Sequence, residues 1–396
     1  MPSDTESIHE TGLTPRQLTR LPTVDTVADL RRSRRDVIHY PDLLPPSRPH
    51  RGWMDPEGKP YIMALNNAVF YPRRSLPTAS TPQNLPARLA SRDLGLLAPA
   101  DGALYPDSFS KSRFIPSALT PQEKGPWQAR LPDNVIDLPG TWLFGELFYA
   151  HFGHTLVDMP ARLWPLADKL LRPRQITGVL GQGMLGTGPR GQHLPGYVMQ
   201  VLQGMGLKEK QIRFADRPLR VERLLVPRRI APYMGLWNPV ISRLMRQAGE
   251  RISRRPGPHR KIWLSRSRLK VDPRGHPSLA QLDEIFADHG FEVIHPQELP
   301  FAQQVSLVQG ATHIAGPVGS QTHLCAFANT PGARVFSVGP SYFSITINDT
   351  LLQDIGGGET HFFLQRDRPE GTRDKAPWAF DPAERPALEA ALRDWI

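Results

Sequence analysis

Lys261-Ile262-Trp263-Leu264, Phe291-Glu292-Val293-Ile294-His295, Thr312-His313-Ile314-Ala315 and Arg334-Val335-Phe336-Ser337-Val338 are four short apolar runs within one stretch of the chain. Helix-like segments fill every gap between them: Ser278–His289, Phe301–Gln309 and Gly319–Ala328. Ser278 suits a helix start, because its hydroxyl accepts from an orphan amide, and Gly290 suits a helix stop. Strands that alternate with helices in this way predict a parallel sheet wrapped by helices. The stretch reads as an α/β domain.

The same alternation reaches back to about residue 140. Trp142–Tyr149, Ile176–Leu180, Ile212–Ala215 and Val221–Val226 read as strands, with helices predicted over Gly153–Leu171, Leu194–Met205 and Asn238–Ile252. Leu156, Met159, Leu163, Leu166 and Leu170 carry the helical spacing of the first of these. Ser253-Arg254-Arg255-Pro256-Gly257-Pro258, polar, basic and broken by Pro and Gly, reads as a linker between two α/β halves. Earlier residues are different. The chain has 42 prolines in 396 residues, about twice the average usage near 5%, and they concentrate before residue 140. Only Tyr61–Tyr71 reads as a strand there, and residues 1–58 read as an irregular extension. The expected domains are therefore 1–58, 59–252 and 253–383. A last helix, 384–396, presents Leu388, Leu392 and Trp395 on one face and is expected to pack back on the 59–252 domain.

Composition bounds the function. A net charge of +10, with 39 Arg against 9 Lys, attracts polyanions, and the planar guanidinium pairs two phosphate oxygens at once. Nucleic acid, an acidic membrane surface and phosphorylated small molecules all remain open on charge alone. The Arg31-Arg32-Ser33-Arg34-Arg35 run reads as a solvated surface. A nucleic-acid-binding protein needs basic residues interleaved with stacking aromatics, or a recognisable module, and neither is present. Cys325 is the single cysteine, so an intrachain disulfide and CxxC chemistry are excluded. Met1–Glu10 lacks the basic-then-apolar start of a signal peptide, and no apolar run approaches the ~20 residues that span a bilayer. The expectation is a cytoplasmic protein.

Four segments carry candidate chemistry. Gly181-Gln182-Gly183-Met184-Leu185-Gly186 follows an apolar run and matches G-x-G-x-x-G. Its continuation, Thr187-Gly188-Pro189-Arg190-Gly191, cannot open the helix that would hold a pyrophosphate, and no acidic residue follows at the ribose position. A flexible loop is the better reading. His151, His154 and Asp158 would share one face of a helix. Two imidazoles and a carboxylate suit a metal ion; His154 oriented by Asp158 suits a general base; a solvated polar face is the plain alternative. Arg162, one turn on, could pair with Asp158. Trp263-Leu264-Ser265-Arg266-Ser267-Arg268 ends a strand in two arginines. If the chain stays extended, both can face the crevice where open α/β sheets bind ligands. Gly316-Pro317-Val318-Gly319-Ser320 is a strand–glycine–helix junction whose Gly319 and Ser320 amides suit diphosphate oxygens. No Walker A, HExxH, G-x-S-x-G or D-x-D motif occurs.

Taken in order, Phe152-Gly153-His154…Asp158-x-Pro160-x-Arg162-Leu163-Trp164, then Trp263-Leu264-Ser265-Arg266-Ser267-Arg268, then Gly316-Pro317-x-Gly319-Ser320 resemble glycosyltransferase family 61. Gly290-Phe291-Glu292-Val293-Ile294, Pro296-Gln297-Glu298 and Phe301-Ala302-Gln303-Gln304 add a fourth similar stretch between the second and third. The resemblance covers roughly residues 140–345. Two positions depart from the family pattern: Val318 stands where a histidine is frequent, with His323 nearby, and Ser337 stands where an acidic residue is common. The resemblance implies a GT-B-like α/β fold, with two Rossmann-like domains facing a cleft and a proline-rich N-terminal region. Residues 59–252 would form the acceptor side and 253–383 the nucleotide-sugar side. It also implies a glycosyltransferase of bacterial-type surface polysaccharide synthesis, moving a sugar from a nucleotide-activated donor, commonly with inversion. On that reading His154 and Asp158 serve catalysis, and Arg266, Arg268, Gly319 and Ser320 hold the donor diphosphate. Arg162, Glu298 and His323 are further donor or acceptor contacts. No cofactor and no metal are expected, since D-x-D pairs are absent and the nucleotide-sugar is a substrate. The partners would be that donor and a glycan or lipid-linked glycan acceptor, and the charge is compatible with peripheral contact at an anionic membrane.

Overall fold

The computed structural model describes residues 5–6, 36–39, 62–71, 96–98, 134–148, 151–183, 194–215, 217–227, 240–269, 279–340, 360–365 and 379–396. The described strands are β1 (Thr5–Glu6), β2 (Asp36–His39), β3 (Ile62–Tyr71), β4 (Leu96–Ala98), β5 (Ile136–Phe148), β6 (Gly178–Gly183), β7 (Ile212–Phe214) and β8 (Leu219–Pro227). They continue as β9 (Arg260–Leu264), β10 (Glu292–Ile294), β11 (Ala311–Pro317), β12 (Arg334–Pro340) and β13 (Thr360–Gln365). The α-helices are α1 (Phe152–Val157), α2 (Pro160–Leu163), α3 (Gly196–Gly204), α4 (Val240–Ile252), α5 (Leu279–Asp288), α6 (Phe301–Gly310) and α7 (Arg385–Trp395). The chain divides into two compact units, Met1–Thr23 with Glu57–Leu244, and Val24–Pro56 with Met245–Ile396.

The first unit carries a seven-stranded mixed sheet in the order β1-β3-β8-β5-β6-β7, with β4 also on β3. Strands β8, β5, β6 and β7 pair in parallel, and β3 joins them antiparallel. Phe70, Phe144, Leu180, Val221 and Leu224 form one buried layer on it. The helix predicted over Gly153–Leu171 is broken into α1, α2 and a 3-10 segment, Trp164–Lys169. Pro160 and Pro165 explain the breaks, because each lacks the amide that would continue the ladder and crowds the turn before it. The loop expected from Gly181 begins later than expected, since Gly181-Gln182-Gly183 completes β6. A Cβ on Gly181 would lie 2.5 Å from the Phe148 ring, so this glycine makes room for an aromatic side chain. Residues 184–193, the rest of that motif, lie outside the described residues.

The second unit is more regular. Its six-stranded sheet runs β10-β9-β11-β12-β13-β2, and every pairing is parallel. Counted from β9, the order is 2-1-3-4-5, the doubly wound pattern of flavodoxin-like sheets, with β2 added at the edge. The predicted β-α-β alternation is therefore present. Two strands were not predicted: β13, and β2, which lies in the region expected to be irregular. Helices α5 and α7 cover one face, placing Leu282, Ile285, Phe286, Leu388, Leu392 and Trp395 against Trp263, Phe336, Val338 and Phe363. Trp263 stacks on Phe286 with ring centroids 3.8 Å apart. The closing helix thus belongs to the second unit's core and not to the 59–252 domain. The basic Ser253–Pro258 stretch is likewise fastened within this unit: Gly257 donates its amide to the Ser306 carbonyl (2.7 Å), and the Ser306 hydroxyl donates to the Arg255 carbonyl (2.6 Å). No helix among the described residues is long and apolar enough to cross a membrane.

Candidate active site

In the first unit, α1 carries His154 in its last turn and Asp158 at its C-cap. One turn of helix brings them together, with His154 Nδ1 2.6 Å from Asp158 Oδ2. The carboxylate is 2% exposed, whereas the imidazole is 32% exposed. A buried carboxylate facing Nδ1 fixes the ring orientation and puts the basic lone pair on Nε2. The His151 ring lies 4.9 Å from the His154 ring. Among the described residues, no group of three or more His, Cys, Asp or Glu is placed to hold a metal ion. Tyr197 of α3 stands edge-on to Phe152 at 5.2 Å. Burial pushes its hydroxyl pKa above the ordinary value, and a hydrogen bond with Thr155 pulls it part of the way back.

Arg162 is held in the interior of the first unit. Only 2% exposed, its Nε donates to Glu146 Oε2 at 2.6 Å and its Nη1 to the Pro227 carbonyl at 2.5 Å. The guanidinium also lies 5.3 Å from the Phe144 ring centroid. Glu146 holds a left-handed φ of 62° where the β5–β6 register shifts. A bulge of this kind re-aims a side chain that regular pleating would point elsewhere. Arg162 therefore ties α2 to the ends of β5 and β8 from the interior.

In the second unit, the strand order reverses between β9 and β11, the point where open α/β sheets bind ligands beyond the carboxyl ends of their strands. Leu264 and Pro317 end those two strands, so Arg266 and Gly319 both follow at that edge. They are in contact. A Cβ on residue 319 would lie 1.9 Å from Arg266 Nη1, so only glycine lets the guanidinium lie where it does. Arg266 Nη1 also donates to Gln321 Oε1 at 3.3 Å, and Gln321 Nε2 donates to the Pro317 carbonyl. The segment that Gly319 caps, Ser320–Phe327, is a 3-10 helix and not the predicted α-helix, with Thr322 Oγ1 donating to the Gly319 carbonyl at 2.7 Å. His323 is half-buried within it.

Arg268 follows Arg266 on a turn. The chain turns, closing a Leu269 amide to Arg266 carbonyl bond at 3.1 Å, so the extended path expected after Leu264 is absent. Arg268, 63% exposed, instead pairs with Glu298 at 3.2 Å. The two departures from the family pattern are interior. Val318 is buried and lies where a Cβ on Gly339 would be 2.4 Å away; Ser337 is 1% exposed, inside β12. Sequence reasoning missed Asp283. This α5 residue accepts from Trp263 Nε1 and from the Ser267 hydroxyl, both at 2.6 Å. The available signal was that Trp263 and Ser267 each bring a donor to a strand end in need of an acceptor.

An all-parallel sheet with an arginine and a glycine in contact at its switch point suits an enzyme that handles phosphorylated ligands. Residues 152–336 match the family model described as Glycosyltransferase 61. This match supports assignment of the chain to glycosyltransferase family 61, and with it a glycosyltransferase activity. The matched residues include His154, Asp158, Arg162, Arg266, Asp283 and Gly319. No curated protein matches the chain.

Proposed function

We propose that the chain transfers a sugar from a nucleotide-activated donor to a hydroxyl of a glycan or lipid-linked glycan, with inversion and without a divalent metal. The observation that carries this is the contact of Arg266 with Gly319 at the switch point between β9 and β11. A guanidinium beside the backbone amides of Gly319 and Ser320 offsets the negative charge that grows on a departing nucleoside diphosphate. In the first unit, His154 Nε2 takes the acceptor proton as the oxygen attacks the anomeric carbon. Asp158 then stabilises the imidazolium. The electron pair of the broken C1–O bond leaves with the diphosphate, so charge and protons balance.

The acceptor-side role falls to the first unit and the donor-side role to the second, the division of labour of a GT-B-type enzyme. Arg268 and Glu298 form a solvent-exposed pair that an incoming phosphate can open at little cost, since such pairs contribute at most about 1 kcal/mol. Metal independence rests on the absence of D-x-D from the sequence; loss of all transfer in EDTA with recovery in Mn²⁺ would refute it. Exposed Arg254 and Arg255 suit the anionic inner face of a membrane, where lipid-linked acceptors of surface polysaccharide reside. Flotation with acidic vesicles at low salt tests that placement. For the donor site, a thermal-shift screen of UDP, GDP and CMP against single-stranded DNA is decisive. Stabilisation by a nucleotide that vanishes in Arg266→Ala supports the proposal, whereas stabilisation by DNA alone overturns it.

A further inference from the structure

We propose that Asp283 is a positioning residue for the donor diphosphate: through Ser267 it holds the turn that lays Arg266 against Gly319. The inference rests on the donor-site reading above. A chain of hydrogen bonds starts at the turn backbone and ends on this carboxylate. The Ser267 amide donates to Ser265 Oγ at 3.1 Å, the Ser265 hydroxyl donates to Ser267 Oγ at 3.0 Å, and the Ser267 hydroxyl donates to Asp283 Oδ2 at 2.6 Å. The other carboxylate oxygen, Oδ1, accepts from Trp263 Nε1 at 2.6 Å. Ser265 is fully buried and gives its amide to the Ile294 carbonyl at 2.8 Å. Arg266 therefore lies between two serines whose hydroxyls are both committed.

Direction matters more than the number of bonds. Every donor in the chain points towards Asp283, so its last member must be an acceptor that gives nothing back. An ionised carboxylate meets that requirement, and an amide does not. Trp263 Nε1 is a donor only, so an asparagine at 283 would turn its oxygen to the tryptophan and its NH₂ to a Ser267 hydroxyl that already needs an acceptor. Two donors would then face each other at the base of the turn. Asp283 reaches from α5, the helix that packs Leu282 and Phe286 into the core. The helix thereby holds the arginine turn in register with the sheet.

The test compares Asp283→Asn, Ser267→Ala and Arg266→Ala in the full chain, titrating whichever of UDP, GDP or CMP binds the wild type best. Melting temperature is followed alongside, with donor KM and kcat. Loss of one hydrogen bond to a charged group predicts weakening on the order of tenfold for Asp283→Asn and Ser267→Ala. The predicted signature is a raised donor KM, a kcat within about twofold and a preserved Tm, with Arg266→Ala weaker still. Ser267→Ala removes one half-buried hydroxyl and covers the case in which the Asp283 variant folds poorly. If Arg266→Ala loses affinity while both positioning variants bind like the wild type, or change only in Tm, Asp283 is structural and the donor site stands. If Arg266→Ala also binds like the wild type, or no nucleotide binds, the donor reading itself fails.

Discussion

The two units hold their candidate site residues by opposite means. In the first, His154 and Asp158 are followed within one turn by Arg162, which is locked to Glu146 in a buried ion pair. In the second, Arg266 rides on a turn held by hydrogen bonds to the half-buried Asp283. A desolvated pair is all-or-none, because removing one partner strands an uncompensated charge in a low-dielectric interior. A hydrogen-bonded turn near solvent loosens gradually, since water can replace a lost partner. The first unit should therefore answer mutation with loss of chemistry or of fold, and the second with loss of affinity.

The sharpest contrast is at His154. Removing a general base lowers turnover by about 10²- to 10⁴-fold, so His154→Ala should abolish most transfer while donor affinity, measured by titration, stays at the wild-type level. Turnover within threefold of the wild type would remove the base from the mechanism. Next in size is the interior pair. Glu146→Ala or Arg162→Ala should cost about 3–5 kcal/mol of unfolding free energy, read as a lower urea midpoint. The exposed Arg268–Glu298 pair supplies the control, because Glu298→Ala should change stability by less than about 1 kcal/mol. Equal costs for the two pairs would break the comparison.

Why the second unit was the more legible follows from its residues. Parallel strands buried on both faces leave compact apolar runs such as Ile262-Trp263-Leu264, and their crossovers leave helices with clear stops, such as Gly290. Strand β13 escaped because Thr360-His361-Phe362-Phe363-Leu364-Gln365 is buried throughout, including His361 and Gln365, whose burial no local pattern announces. In the first unit, leucine spacing from Leu156 to Leu170 argued for one helix, and two prolines overrode it. Site residues joined by short range were readable: His154 and Asp158 are one turn apart. Those joined only by folding were not. Arg162–Glu146 depends on a bulge with a left-handed Glu146, and Asp283 meets Ser267 across a helix–strand contact. After Leu264 the chain turns where alternation alone predicts an extended path, and Arg268 pairs with Glu298.

The amino-terminal edge of the second sheet tests the same distinction more gently. His313 pairs in register with Lys261 on one side and Arg334 on the other, and its ring meets Trp395 edge-on at 4.9 Å. Burial first, then the Arg334 and Lys261 charges, pushes its pKa down to about 4. The unfolded chain, with an ordinary histidine near 6.5, therefore binds more protons between those two values. The stability that the neutral ring supplies is complete above about pH 6.5 and is lost as pH falls towards 4. For a half-exposed ring, solvent screening leaves about 1 kcal/mol of this. His313→Gln should flatten the decline in Tm between pH 6.5 and 4.5 relative to the wild type. Parallel declines would show that burial and the two cations do not act on this ring.

The smallest expected effect concerns a single oxygen. Ser337 is buried within β12, and among the described residues its hydroxyl has no hydrogen-bond partner. A buried hydroxyl that has given up water for nothing destabilises the fold, so Ser337→Ala should raise stability by about 0.5–1 kcal/mol. Because the side chain is buried within the strand, donor affinity should not move. Ser337→Asp is the complementary variant. If residue 337 belonged to the donor site, the acid would change nucleotide binding with little effect on folding. If the position is interior, as its burial indicates, the unpaired carboxylate should lower Tm far more than Ser337→Ala raises it and leave the binding of the folded fraction unchanged.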